Sequence, residues 1–145
     1  MQIYFICTGN TCRSPMAEAI LKHKKLENVE VYSAGVYAQS GVPMSTNAQI
    51  VLQENGIETQ HRSSPVDINR LNQSDLILTM TESHLHALLQ VHPHIADKAF
   101  TLHEYVYNTQ KDVSDPYGGS VDVYRRTFEE LQRLIDALQS KIVED

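Results

Sequence analysis

The sequence predicts a single α/β domain over residues 1–145: a four-stranded parallel sheet with helices on both faces, three layers in all. Three observations predict it. Short apolar runs recur between stretches of helical spacing. Those runs are almost continuously apolar rather than alternating, as strands covered on both faces must be. A length of 145 residues with 41% hydrophobic content suits one sizeable core. No repeat, low-complexity tract or linker interrupts the pattern.

The elements follow in order. Ile3, Tyr4, Phe5 and Ile6 form the first strand, and residues 15–26 the first helix. Ser14 is placed to cap that helix, with Pro15 at its first position. Residues 29–32 form the second strand, ending in Ser33, Ala34 and Gly35. A helix over 43–54 carries Ala48, Val51 and Leu52 on one stripe and stops at Asn55 and Gly56. Leu76, Ile77 and Leu78 make the third strand. A helix over 82–91 is closed by Pro93, and residues 99–102 are the fourth strand. The last helix, 121–143, carries Tyr124, Phe128, Leu131, Leu134, Ile135, Leu138 and Ile142 along one face. In sheets of this kind, ligands bind beyond the carboxyl ends of the strands.

Cys7 lies at that edge, where the first strand ends. The loop after it (Thr8, Gly9, Asn10, Thr11, Cys12) runs into Arg13, Ser14 and Pro15, so it ends at a helix N-terminus. Free backbone N–H groups and the positive end of the helix dipole favour an anion there. Gly9 lets N–H groups turn inward, and Asn10 tolerates positive φ better than most residues. A cysteine facing such a cradle opposite an arginine reads as a thiolate aimed at a phosphate. The helix N-terminus and Arg13 are both expected to lower the pKa of Cys7. Arg13 can contact two phosphate oxygens at once.

Residues 111–119 read as the only long irregular stretch, joining the last strand region to the C-terminal helix. Phosphoryl transfer to a thiolate needs an acid for the leaving group and then a base for water. Asp115 is the candidate, because Pro116 restricts its backbone. Asp112 is the competing carboxylate.

Composition narrows the partners. A net charge of −6 disfavours nucleic acid or an anionic membrane face as partner. No apolar stretch approaches membrane-spanning length, and no export signal is expected. The two cysteines, Cys7 and Cys12, share one loop, which favours a reducing cytoplasm over a secreted disulfide scaffold. His84 with His86 and His92 with His94 are spaced by two rather than by helical ligand spacing, so no metal or other cofactor is expected.

With both loops in hand, the chain resembles the low-molecular-weight protein tyrosine phosphatases over essentially its whole length. The motifs are CTGNTCRSPMAEA, SAG at 33–35, DLILTM at 75–80 and DPYGG at 115–119. Within that family it looks most like the bacterial protein-arginine phosphatase branch. Thr11 stands where tyrosine phosphatases usually carry a branched aliphatic residue. Gly118 and Gly119 stand where they tend to place a second aromatic.

The resemblance implies Cys7 as nucleophile, Arg13 as phosphate clamp and Asp115 as general acid and base, with Thr8 to Ser14 cradling the phosphate. It implies that Ser33 and His61 support a strained Asn10, and that Ser14 donates to the Cys7 thiolate. Thr11 and Tyr117 are the candidate specificity residues, and Cys12 is a candidate redox partner for Cys7. The implied partners are phosphorylated proteins, with inorganic phosphate as product. A tyrosine phosphatase of the same fold remains the alternative, with Tyr117, Tyr37 and Tyr105 as candidate walls for a phosphotyrosine ring. Arsenate reductases of this fold carry further cysteines downstream, which this chain lacks. A non-enzymatic phosphoprotein-binding module is expected to lose Cys7 or Asp115.

Overall fold

The computed structural model describes residues 1–143. The chain order is β1 (Gln2–Cys7), α1 (Arg13–His23), β2 (Glu30–Gly35), α2 (Thr46–Glu54), α3 (Ile68–Gln73) and β3 (Leu76–Thr79), followed by α4 (Glu82–Val91), a 3₁₀ segment (Pro93–Lys98), β4 (Ala99–Thr101), α5 (Leu102–Tyr107) and α6 (Val121–Val143). The sheet runs β2-β1-β3-β4, all parallel. β1 is therefore central, and its carboxyl end lies where the chain's progress across the sheet reverses direction.

Alternation along β1 divides the core into two layers. Ile3, Phe5 and Cys7 join Met16 and Ile20 of α1, Leu52 of α2, and Leu134 and Leu138 of α6. Tyr4 and Ile6 face the other way, onto Leu71 of α3, Leu88 of α4 and Ile95. Ile3, Phe5 and Ile6 are wholly buried, each stabilising the fold by about 1.5–3 kcal/mol. The predicted three-layer parallel fold is the one observed. Among the described residues, no helix is long and apolar enough to cross a membrane.

Several boundaries differ from expectation. α1 begins at Arg13 after Cys12, so Ser14 lies inside the first turn and caps nothing. The helix ends at His23 because Lys25 and Asn28 take positive φ. α2 starts at Thr46, since Pro43 is held extended by a bridge to Arg62. β4 stops at Thr101, whose hydroxyl accepts from the Glu104 backbone N–H and opens α5. Residues 111–119 are not the only irregular stretch, because the chain between α2 and α3 is also largely irregular and carries His61.

Candidate active site

The loop after β1 owes its shape to a missing side chain. Cys7 pairs with Gly35 in the β1–β2 register. A Cβ on Gly35 would lie 2.3 Å from the Thr8 carbonyl oxygen and 2.9 Å from the Asn10 nitrogen. Only glycine lets the loop fold this closely over the end of β2. The Val36 and Tyr37 N–H groups then donate to the carbonyls of Cys7 (2.9 Å) and Thr8 (3.0 Å).

Asn10 is wholly buried and takes φ +59°. Its polar groups hold it in that left-handed conformation. Its Nδ2 donates to Ser14 Oγ (2.8 Å) and Ser33 Oγ (3.0 Å), while Oδ1 accepts from the Ser64 N–H at 2.9 Å. His61 Nε2 donates to the Asn10 carbonyl at 2.7 Å. Glu18 ties the two supports together: it accepts from the Ser33 hydroxyl and lies 3.7 Å from His61 Nδ1. The sequence reading named Ser33 and His61 but missed Glu18 and Ser64. Glu18 shows only an ordinary i,i+4 pairing with Lys22 in the sequence, and its other partners are distant along the chain.

Ser14 Oγ accepts from Asn10, which leaves its O–H to reach Cys7 Sγ at 2.8 Å. Burial of Cys7 is the dominant influence on its thiol and raises the pKa above the usual value. The Ser14 hydroxyl, the backbone N–H groups of Ser14 and Asn10, and the Arg13 charge all pull it down, without prevailing. The expected net lowering is therefore corrected: burial of the thiol outweighs the groups that pull its pKa down.

Arg13 is almost fully buried, with Nη1 donating to the Val113 carbonyl at 3.2 Å. Its Nη2 lies 3.6 Å from Asp115 Oδ2. The acid loop is pinned on both sides of that carboxylate. The Val113 N–H donates to Met80 at the end of β3, at 2.9 Å. Ser114 bonds through both N–H and hydroxyl to Glu130 of α6. Burial tends to raise the Glu130 pKa, but the bonds from His103 and Ser114 outweigh it and hold the carboxylate low. Beyond Asp115, Gly118 takes φ +79°, and a Cβ on Gly119 would meet Val123 Cγ1 at 2.8 Å. A side chain is therefore strained at Gly118 by its backbone and crowded at Gly119 by Val123 and the Pro116 carbonyl. Asp112 is occupied elsewhere, accepting from the Glu82 N–H (2.9 Å) at the start of α4.

Cys7, Thr8, Gly9, Thr11, Cys12, Arg13, Asp115 and Tyr117 line one cleft of about 240 Å³. Asn10 and Ser14 stand behind it, their side chains turned into the support network. Tyr117 stands 80% exposed at the lip. Tyr37 and Tyr105 are absent from this lining: Tyr37 borders a separate groove with Val91, and Tyr105 packs against Phe100 beneath Lys141. Clefts of about 800 and 610 Å³ elsewhere on the surface hold none of the predicted site residues, whereas one of about 350 Å³ is lined by the supporting residues Ser33 and His61. A cysteine, a buried arginine and a carboxylate around a cavity sized for a small anion suit phosphoryl transfer.

The model of the low molecular weight phosphotyrosine protein phosphatases matches residues 2–145. The chain belongs to that family. Family relatives agree across nearly the whole chain. A protein-arginine-phosphatase of Geobacillus stearothermophilus is 46% identical over 141 residues, covering 97% of this chain and 95% of its own. A low molecular weight protein-tyrosine-phosphatase PtpB of Staphylococcus haemolyticus is 42% identical, covering 97% and 99%. A solved structure described as the YwlE arginine phosphatase C7S mutant with phosphorylated active site serine superposes with a TM-score of 0.97. It is 41% identical and covers all of this chain and 97% of the other. The relatives are protein-arginine and protein-tyrosine phosphatases by name, and this chain is a phosphoprotein phosphatase.

Proposed function

We propose that this phosphatase removes phosphoryl groups from arginine side chains of proteins through a phosphocysteine intermediate. The observation that carries the reading is the meeting of Cys7, Arg13 and Asp115 around one small cleft, from segments about a hundred residues apart. Cys7 Sγ attacks phosphorus as the P–N bond breaks, and Asp115 protonates the departing guanidine nitrogen. Water then attacks the phosphocysteine, Asp115 takes its proton, the P–S bond breaks and inorganic phosphate leaves. Arg13 and the loop N–H groups hold the equatorial oxygens, where charge spreads in a loose transition state. A thiol meeting a phosphoryl dianion and a thiolate meeting a monoanion carry the same charge. The raised Cys7 pKa therefore asks only that one proton move within the loop. No metal or other cofactor enters these steps.

Two features favour arginine. Thr11 lines the cleft, where its hydroxyl can accept from a guanidinium N–H that an aliphatic side chain would leave unpaired, at about 1–3 kcal/mol. A relative 46% identical over 97% of this chain is named for arginine. The second reading, phosphotyrosine, is favoured by exposed Tyr117 at the lip, where a ring could stack. We assign the reaction to the cytoplasm, since Cys7 and Cys12 are both free thiols, and its partners to phosphorylated proteins rather than nucleic acid or membrane.

Rapid quenching of wild type with a phosphoarginine peptide tests the mechanism. Mass spectrometry is expected to find the phosphoryl group on Cys7, with phosphate release abolished in Cys7→Ser. The phosphorylated serine of the relative supports transfer to this position, with the block falling at hydrolysis. Undiminished release from Cys7→Ser contradicts it.

A further inference from the structure

His84 carries an observation that neither loop explains. It opens the first turns of α4, is only 6% exposed, and its Nε2 lies 2.7 Å from the hydroxyl of Thr8. Its Nδ1 is buried with no hydrogen-bond partner among the described residues. Burial, and then the charge of Arg13, push its pKa down to about 4 against the opposing pull of Asp112 and Asp115, so the ring is neutral near pH 7. A neutral imidazole carries one hydrogen, on one nitrogen or the other.

The two tautomers differ in what they strand. Hydrogen on Nδ1 would leave a buried N–H donor unpaired, which folded proteins rarely tolerate. Hydrogen on Nε2 leaves only a lone pair unpaired and donates to Thr8 Oγ1. A hydroxyl that accepts from His84 keeps its own hydrogen for another acceptor, and Thr8 lines the cleft beside Cys7 and Arg13.

We propose that His84 is a positioning residue that turns the Thr8 hydroxyl hydrogen into the cleft, where it donates to an oxygen of the bound phosphoryl group. The loop thus gains a side-chain donor beside its backbone N–H groups and Arg13. The inference rests on the phosphatase reading of this cleft and adds a contact to it. The donor is fixed before the anion arrives, because the His84 ring is held by burial rather than by solvent.

Calorimetry with inorganic phosphate tests it without turnover. Thr8→Val and His84→Leu are each expected to weaken phosphate about tenfold, the usual consequence of losing a hydrogen bond to a charged group. The double variant is expected to be no weaker than either single one, because both remove the same donor. His84→Gln, which can return an N–H near the Nε2 position, is expected to recover most of the affinity. In wild type, ¹⁵N resonances of the His84 ring are expected to place the hydrogen on Nε2. Unchanged phosphate affinity in Thr8→Val, additive losses in the double variant, or hydrogen on Nδ1 overturns the proposal. Thr8 is exposed and the nitrogen spectrum needs no substitution, so neither arm depends on a His84 variant folding. A wild type that binds phosphate yet hydrolyses neither phosphoarginine nor phosphotyrosine would instead refute the functional reading.

Discussion

Arg13 Nη2 and Asp115 Oδ2 face each other at 3.6 Å across the mouth of the cleft, the first side chain buried and the second 59% exposed. The pairing aims the carboxylate without removing it from water. As a stabilising ion pair it is worth little, given that exposure. Its consequence is positional: the acid stands beside the group that clamps the phosphate.

Asp115→Asn is therefore expected to lower kcat by roughly 10²–10⁴ on phosphoarginine, whose guanidine must be protonated to leave. An activated aryl phosphate, which departs unaided, is expected to lose less. Asp112→Asn keeps an amide oxygen that can accept from the Glu82 N–H at the start of α4 and loses only the charge there, so it is expected to cost less than about 1 kcal/mol of stability, without any dependence on the leaving group. Kinetics on both substrates, with melting curves, separate the two carboxylates; a larger leaving-group effect in Asp112→Asn reverses the assignment.

The fold, and the candidates Cys7, Arg13 and Asp115 that meet in one cleft, were legible because they rest on local patterns. Apolar runs, the helical stripe that follows Pro15 and the Asp115–Pro116 turn all speak within a few positions. What escaped was short or non-local. α3 and α5 span six residues each, too few for periodicity, although Thr101 followed by Glu104 is a capping pattern that marks the start of α5. Glu18 and His84 look like ordinary helix residues, and their partners Ser33, His61 and Thr8 arrive only through sheet topology. The misjudged Cys7 pKa has the same origin. Its neighbours could be named from the sequence, but the depth of burial that outweighs them could not.

Ser14→Ala is expected to move the Cys7 pKa further upward, because the hydroxyl bond is the largest influence opposing burial. The thiolate is the reactive form, so alkylation of Cys7 rises with pH through the pKa. The midpoint, followed by iodoacetamide labelling and site-resolved mass spectrometry, is expected at higher pH in the variant than in wild type. An unchanged or lower midpoint contradicts the role assigned to Ser14.

Cys12 is buried beneath the loop, with Sγ 3.3 Å from the Tyr124 hydroxyl. Burial raises the Tyr124 pKa to about 12, so it stays a neutral phenol beside the thiol. Mild peroxide is expected to convert Cys7 to a sulfenic acid, which the Cys12 thiol captures as a disulfide with loss of water. Mass spectrometry is expected to show the Cys7–Cys12 link in an inactive protein that thiols restore. Equal restoration in Cys12→Ser removes Cys12 from that role.

Preference for phosphoarginine is the central claim, and Thr11 is the residue on which it turns. The direct measurement is kcat/KM for matched phosphoarginine and phosphotyrosine peptides, in wild type and in Thr11→Ile. Wild type is expected to prefer phosphoarginine. The ratio is expected to fall by about tenfold or more in the variant, as the unpaired guanidinium donor costs roughly 1–3 kcal/mol. A wild type that prefers phosphotyrosine, or a ratio unmoved by Thr11→Ile, contradicts the account.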